Sequence, residues 1–129
     1  MEYKSNRSQV YLINYHLIWC PKRRKKVLVG EIKNKLESII KQVANDKKID
    51  ILALEIMPDH LHLFVSTYPQ IEVHKLVKLF KGRSSNILRK EFPELLKMPC
   101  LWTRSYFVST AGNVSSDTIQ KYIEAQTKK

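Results

Sequence analysis

Three glycines and five prolines in 129 residues are too few for a linker, a low-complexity tract or a collagen-like repeat. Cysteine is scarce as well. Cys20 and Cys100 lie far apart and make no C-x-x-C pair. That argues against a disulfide framework and against a structural zinc site. The expectation is two reduced thiols in a cytoplasmic protein. No apolar run approaches the ~20 residues of a membrane span. The opening MEYKSNRSQV has no apolar stretch of the secretory kind, so no membrane partner is expected. A glycine-rich phosphate loop is missing too, and no nucleotide cofactor is expected. Acid is the last shortage: 12 Asp+Glu stand against 23 Lys+Arg, a net charge of +11.

Such an excess of cations on a short chain calls for a polyanionic partner, and without membrane features that partner is nucleic acid. A hydrophobic content of 43% is enough to bury a core, which excludes wholesale disorder. With no repeat and no composition shift, residues 1–129 read as one domain.

The elements follow from periodicity. Val10 to Cys20 (VYLINYHLIWC) is rich in aromatic and β-branched residues and predicts a strand. Pro21 and the basic run Lys22–Lys26 end it. From Glu31 to Asn45, Ile32, Leu36, Ile39, Ile40 and Val43 recur at helical spacing. Ile49–Met57 predicts a second strand, Pro58-Asp59 a turn, and His60–Thr67 a third strand, so the two form a hairpin. Ile71–Arg89 reads as a helix with Val73, Leu76, Val77, Phe80, Ile87 and Leu88 on its apolar side. An irregular stretch lies between Pro93 and Pro99. Ser105–Ser109 predicts a fourth strand. Asn113, Ser115 and Ser116 are N-cap candidates for a last helix ending near Gln126. The order β-α-β-β-α-β plus a terminal helix is the α+β, ferredoxin-like split βαβ plan, shared with RNA-recognition domains. It has an antiparallel sheet and helices on one face. Function has to come from the site, because this plan hosts many activities.

Two spacings carry chemistry. His60 and His62 are i and i+2 in a strand, so both imidazoles project from one face while Leu61, Leu63 and Val65 go to the core. Two convergent imidazoles suit one metal ion, although an H-x-H pair alone is more often a pair of half-exposed strand histidines. Tyr122 and Gln126 are i and i+4 on the last helix, so a phenol and a carboxamide share one helix face. Alone, a tyrosine there is ordinary packing.

Together, H-x-H on a central strand and Y-x-x-x-Q on a late helix resemble the HUH endonucleases, and more closely the single-tyrosine transposases of small insertion sequences, the IS200-like family. The resemblance runs through YHLIW, PKRRKKVLVGEI, MPDHLHLFV, LWTRSYFVSTAG and KYIEAQ, which together span nearly the whole chain. It implies that His60, His62 and Gln126 hold a divalent ion, Mg²⁺ or Mn²⁺, and that the terminal helix is catalytic, with Tyr122 as nucleophile. The reaction implied is cleavage and rejoining of single-stranded DNA at hairpin-containing element ends through a 5′-phosphotyrosine. Because two DNA ends need two nucleophiles, a homodimer is implied as well.

The basic run Lys22, Arg23, Arg24, Lys25 and Lys26 is expected to meet DNA phosphates. Lys78 and Arg83 on the second long helix, and Arg104, would extend that surface; Lys75, Lys81, Arg89 and Lys90 are further helix cations. Glu55, on the strand before the histidines, is a possible ligand or base that reads more simply as a solvated acid. His16 reads as a satisfied strand histidine and His74 as surface. Other readings stay open: a domesticated nuclease cutting repeat-associated hairpins, a non-catalytic nucleic-acid-binding module on the same sheet plan, and a metal-dependent hydrolase built on H-x-H. The first would share every catalytic residue. The second would be indifferent to loss of the Tyr122 hydroxyl. The third would need carboxylate ligands and would form no covalent DNA adduct.

Overall fold

The computed structural model describes residues 3–5, 10–110 and 116–126, the last segment with side chains from Lys121 onward. A four-stranded antiparallel sheet is its centre. Strands β3 (Ile13–Trp19), β4 (Asp50–Met57), β5 (His60–Thr67) and β6 (Phe107–Thr110) run in the order β4-β5-β3-β6. With helices α1 (Gly30–Lys47) and α2 (Val73–Glu91) as the crossovers, this is the expected ferredoxin-like arrangement.

Alternation along the central strands sorts the residues. Leu17 and Trp19 of β3 and Leu61, Leu63 and Val65 of β5 face the helices and are fully buried. Each is worth about 1.5–3 kcal/mol of burial. They meet Ile32, Leu36, Ile39, Ile40 and Val43 of α1 and Leu76, Val77, Phe80 and Leu88 of α2, the apolar stripes that the helical spacing predicts. The opposite face takes the other parity: His16 and Ile18, His60, His62 and Phe64, Glu55, and Phe107.

The structure differs from the sequence reading at three element ends. The first long strand is divided at Leu12. Val10–Tyr11 (β2) pairs with Lys4–Ser5 (β1) in a small ribbon, while β3 joins the main sheet. Periodicity marks extended chain but not its pairing partner, so the change of neighbour left no trace in the sequence. The last strand begins at Phe107 rather than Ser105, because the Ser105 carbonyl accepts Lys81 Nζ at 3.2 Å and the Thr103 hydroxyl at 3.2 Å instead of joining the ladder. The terminal helix α3 runs Ser116–Ala125, with Gln126 in a 3₁₀ turn just beyond. Of its N-cap candidates, Ser116 is the first helical residue, and Asn113 and Ser115 lie outside the described residues.

The hairpin β4–β5 turns at Pro58-Asp59 and places His60 at the first position of β5. Beyond Trp19 the chain continues beside residues 101–103: Thr103 donates its amide to the Cys20 carbonyl at 3.0 Å, and Lys22 to that of Leu101 at 2.8 Å. The loops after β3, after β4 and before β6 therefore gather at one end of the sheet. Both cysteines are free thiols. Among the described residues, no helix is long and apolar enough to cross a membrane.

Candidate active site on the open sheet face

His60 and His62 lie side by side on β5 with ring centroids 5.0 Å apart and planes 77° to each other. Each has one ring nitrogen engaged. His60 Nδ1 is 2.8 Å from Asp59 Oδ1. His62 Nδ1 is 3.0 Å from His16 Nε2, across the β3–β5 ladder. Both Nδ1 atoms are occupied, and neither Nε2 has a hydrogen-bond partner among the described residues.

Asp59 is anchored in turn. Arg24 donates Nε (2.9 Å) and Nη2 (2.6 Å) to Asp59 Oδ2. Burial works to raise this carboxyl, but the hydrogen bonds from His60 and Arg24 and their charges outweigh it and hold it below the usual carboxylate range. The loop that delivers Arg24 is strained: Arg23 (φ 56°) and Arg24 (φ 55°) are both left-handed, which costs about 1–3 kcal/mol per residue. The charge-assisted pair with Asp59 offsets part of that.

Burial, reinforced by the His60 ring, pushes His62 down, while the charge of Glu55 opposes it. Glu55 faces His62 in the β4–β5 register and is exposed, so it acts on His62 through its field. His16 is 5% exposed and held down to about 4 by burial first and by His62 second. Neutral imidazole is the form that ligates a metal.

The second half of the site comes from α3 and the loop before β6. Ser105 Oγ donates to Gln126 Oε1 at 2.9 Å and stands 3.5 Å from the Tyr122 hydroxyl. Gln126 is buried and donates Nε2 back to the Tyr122 carbonyl at 3.2 Å. The phenol and the carboxamide thus meet at one hydroxyl, as their i, i+4 spacing allows. Burial pushes the Tyr122 phenol up to about 12, with the Cys20 thiol adding to it and hydrogen bonds to Ser105 and Thr103 opposing. Phe107 links the halves: its ring lies 5.8 Å from that of Tyr122 and 6.2 Å from that of His16.

A divalent ion fits the histidine half by its chemistry. Two imidazoles with Nδ1 held by partners and Nε2 left over are a usual ligand pair. The Gln126 carbonyl oxygen, with two lone pairs, retains one beyond the Ser105 bond. Among the described residues, no group of three or more His, Cys, Asp or Glu is placed to hold a metal ion, so a third protein ligand would have to be of another kind, such as the carboxamide.

The cations divide into two sets. Arg23, Lys25, Lys26, Lys78 and Arg104 are exposed, and Lys22 is half-buried. Arg24 is paired with Asp59, and Arg83 with Asp46 at 2.6 Å. Lys75 pairs with Glu72. Lys81 turns inward to the carbonyls of Thr103 (2.6 Å), Arg104 (3.3 Å) and Ser105 (3.2 Å). Its half-buried ammonium is lowered by burial, against the opposing charges of Cys100 and Cys20.

Sequence reasoning did not reach Asp59, Ser105 or Phe107, and it gave His16, Arg24 and Lys81 other roles. Asp59 carried a signal, since it immediately precedes the first histidine. His16 carried none, because its contact with His62 spans 46 residues of sequence.

The fold and site define a basic α+β protein that brings two imidazoles and a helix-borne phenol to one sheet face. Comparison with known proteins supplies the family. A family model described as IS200-like transposase matches residues 9–126. The chain is 39% identical over 132 residues to the ISDra2 transposase TnpA of Deinococcus radiodurans, covering 100% of this chain and 94% of that one. It is 31% identical over 115 residues to the transposase for insertion sequence element IS200 of Salmonella typhimurium, covering 87% and 75%. A crystal structure described as a Deinococcus radiodurans transposase superposes with a TM-score of 0.89 at 39% identity, over 95% of this chain and 97% of that chain. A REP-associated tyrosine transposase bound to a REP hairpin shares the fold at TM-score 0.55 and 15% identity, over 94% and 69%. The chain belongs to the IS200-like transposase family.

Proposed function

We propose that this transposase cuts and rejoins single-stranded DNA through a covalent link to Tyr122, with a divalent ion, Mg²⁺ or Mn²⁺, held by His60, His62 and Gln126. The observation that carries the reading is that, in a member of this family, two imidazoles with Nδ1 engaged stand on the open sheet face and the Tyr122 ring packs on Phe107 of that same face.

The Tyr122 oxygen attacks the scissile phosphorus. A P–O bond to tyrosine forms and the P–O3′ bond breaks, leaving a 5′-phosphotyrosine and a free 3′-OH. The phenol proton leaves to solvent during attack, because burial holds it at a pKa of about 12 and little phenolate exists beforehand, and the departing O3′ takes up a proton in its place. When bound, the metal polarises a phosphate oxygen and offsets the charge that develops on it. Ser105 positions both the phenol and the Gln126 carboxamide. A 3′-OH from another strand then attacks the phosphotyrosine and releases Tyr122. One phosphodiester replaces another, so no ATP is required.

The DNA partner fits the +11 charge. A hairpin substrate is read from the resemblance and agrees with the hairpin held by the REP-associated relative. Two ends call for two nucleophiles and so for a homodimer.

Incubation with Mn²⁺ and end-labelled hairpin DNA tests the reading. A protein–DNA adduct stable to denaturation is expected, lost to background in Tyr122→Phe and with chelator while hairpin binding persists. An adduct undiminished in Tyr122→Phe would move the nucleophile elsewhere. Binding with no adduct on any hairpin, the element's own ends included, would favour the non-catalytic module.

A further inference from the structure

We propose that His16 is a positioning residue, whose Nε2 accepts the Nδ1 proton of His62 and thereby keeps the His62 Nε2 lone pair free for the ion. The inference rests on the metal reading above.

A neutral imidazole has one N–H and one bare nitrogen. The 3.0 Å contact between His16 Nε2 and His62 Nδ1 therefore has two possible polarities. If His16 donates, His62 carries its proton on Nε2, and that nitrogen is closed to a metal. If His62 donates, Nε2 is open. The contact is thus a two-position control on whether His62 can ligate. His60 has the simpler arrangement. Its partner is the Asp59 carboxylate, which only accepts, so Nδ1 must carry the proton. His16 gives His62 the neutral counterpart of that carboxylate.

Packing alone does not call for an imidazole here. The ring is 5% exposed and lies flat on Phe64, with centroids 4.0 Å apart and planes at 12°, and it meets Phe107 edge-on. A phenyl ring would fill this slot without desolvating a polar group. What the two aromatic neighbours do for an imidazole is fix its plane, so that Nε2 stays aimed at His62. Phe107 also touches Tyr122. The residue that sets the His62 proton therefore packs on the same ring as the nucleophile.

Long-range ¹H–¹⁵N spectra of metal-free, ¹⁵N-histidine-labelled protein distinguish an Nδ1 proton from an Nε2 proton. His62 is expected to carry its proton on Nδ1 in the wild type and to populate both forms in His16→Phe. His16→Gln should restore the Nδ1 form, since a carboxamide oxygen can accept. Mn²⁺ titration without DNA should find binding about 10–100-fold weaker in His16→Phe, with most of the loss recovered in His16→Gln. A residue that only packs would give the reverse order of rescue.

Wild-type protein that binds Mn²⁺ with His62 protonated on Nε2 overturns the proposal alone, and so does His16→Phe with wild-type Mn²⁺ affinity. Wild-type protein that takes up no Mn²⁺ overturns the metal reading and the proposal together. The wild-type spectrum decides the polarity even if His16→Phe does not fold.

Discussion

At the scale of single residues, the open face is costly to build. His16 is buried, and its charged form is disfavoured in the folded protein: its pKa falls from 6.5 to about 4. The unfolded chain therefore binds the proton more readily. The His16 contribution to stability is whole above pH 6.5 and is lost as pH falls from there through 4. The loss is on the order of 2–3 kcal/mol, and His62 adds to it in the same direction. Urea midpoints of metal-free protein should fall over that window. His16→Phe should fall less, and equal acid sensitivity in the two proteins would contradict the assignment. Burial acts oppositely on a phenol. Tyr122 is kept protonated up to about 12, so on the proposed mechanism removal of the phenol proton is part of what attack demands.

Among the elements, the irregular loop from Thr103 to Ser105 joins the sheet to the terminal helix side chains. It supplies Ser105, the hydroxyl shared by Tyr122 and Gln126, and one ammonium ties its successive carbonyls together. Lys81 reaches from α2 to three successive carbonyls of that loop. Lys81→Met keeps the aliphatic stem and removes the donors. The expected cost is about 2 kcal/mol in denaturant unfolding, together with a reduced adduct yield on hairpin DNA as Ser105 loses its placement. A variant as stable as the wild type would mean that water replaces the ammonium without loss. The basic loop after β3 shows the same economy. Of its consecutive cations, Arg24 turns back to fix Asp59 while its neighbours remain available to solvent.

For the molecule as a whole, the surplus of positive charge sets how DNA is held. Contacts to phosphates release counterions, so log affinity falls linearly with log salt, by about 0.7 per phosphate on single strands. Replacing Lys25 and Lys26 together with Ala should lower that slope by roughly 1.4, twice the single-contact value. Arg83→Ala should leave the slope unchanged and cost about 0.2–1 kcal/mol of stability, because its guanidinium is engaged with Asp46 at a partly exposed site. Fluorescence anisotropy over a salt series, set beside thermal melts, reads both. An Arg83→Ala slope that falls like that of the lysine pair would show that Asp46 yields the arginine to DNA.

The sequence by itself determined the layout. Period-2 and period-3.6 patterns gave the central strands and long helices, and the parity of His60 and His62 against Leu61, Leu63 and Val65 fixed which side of the sheet the imidazoles occupy. Such features are local: neighbouring residues decide them through the geometry of one strand or one helix. Only the tertiary structure decided what each imidazole touches. His16 reaches His62 because β3 and β5 pair in one register, and no spacing along the chain records a register. Arg24 reaches Asp59 through a left-handed turn, and Lys81 reaches the Ser105 carbonyl from a helix. In all three cases, side chains that the sequence assigned to the strand or to the cationic surface became partners of the site. Hydrogen bonding and burial depend on which segments the fold brings within about 3 Å, and that follows from the packing of the whole sheet against its helices.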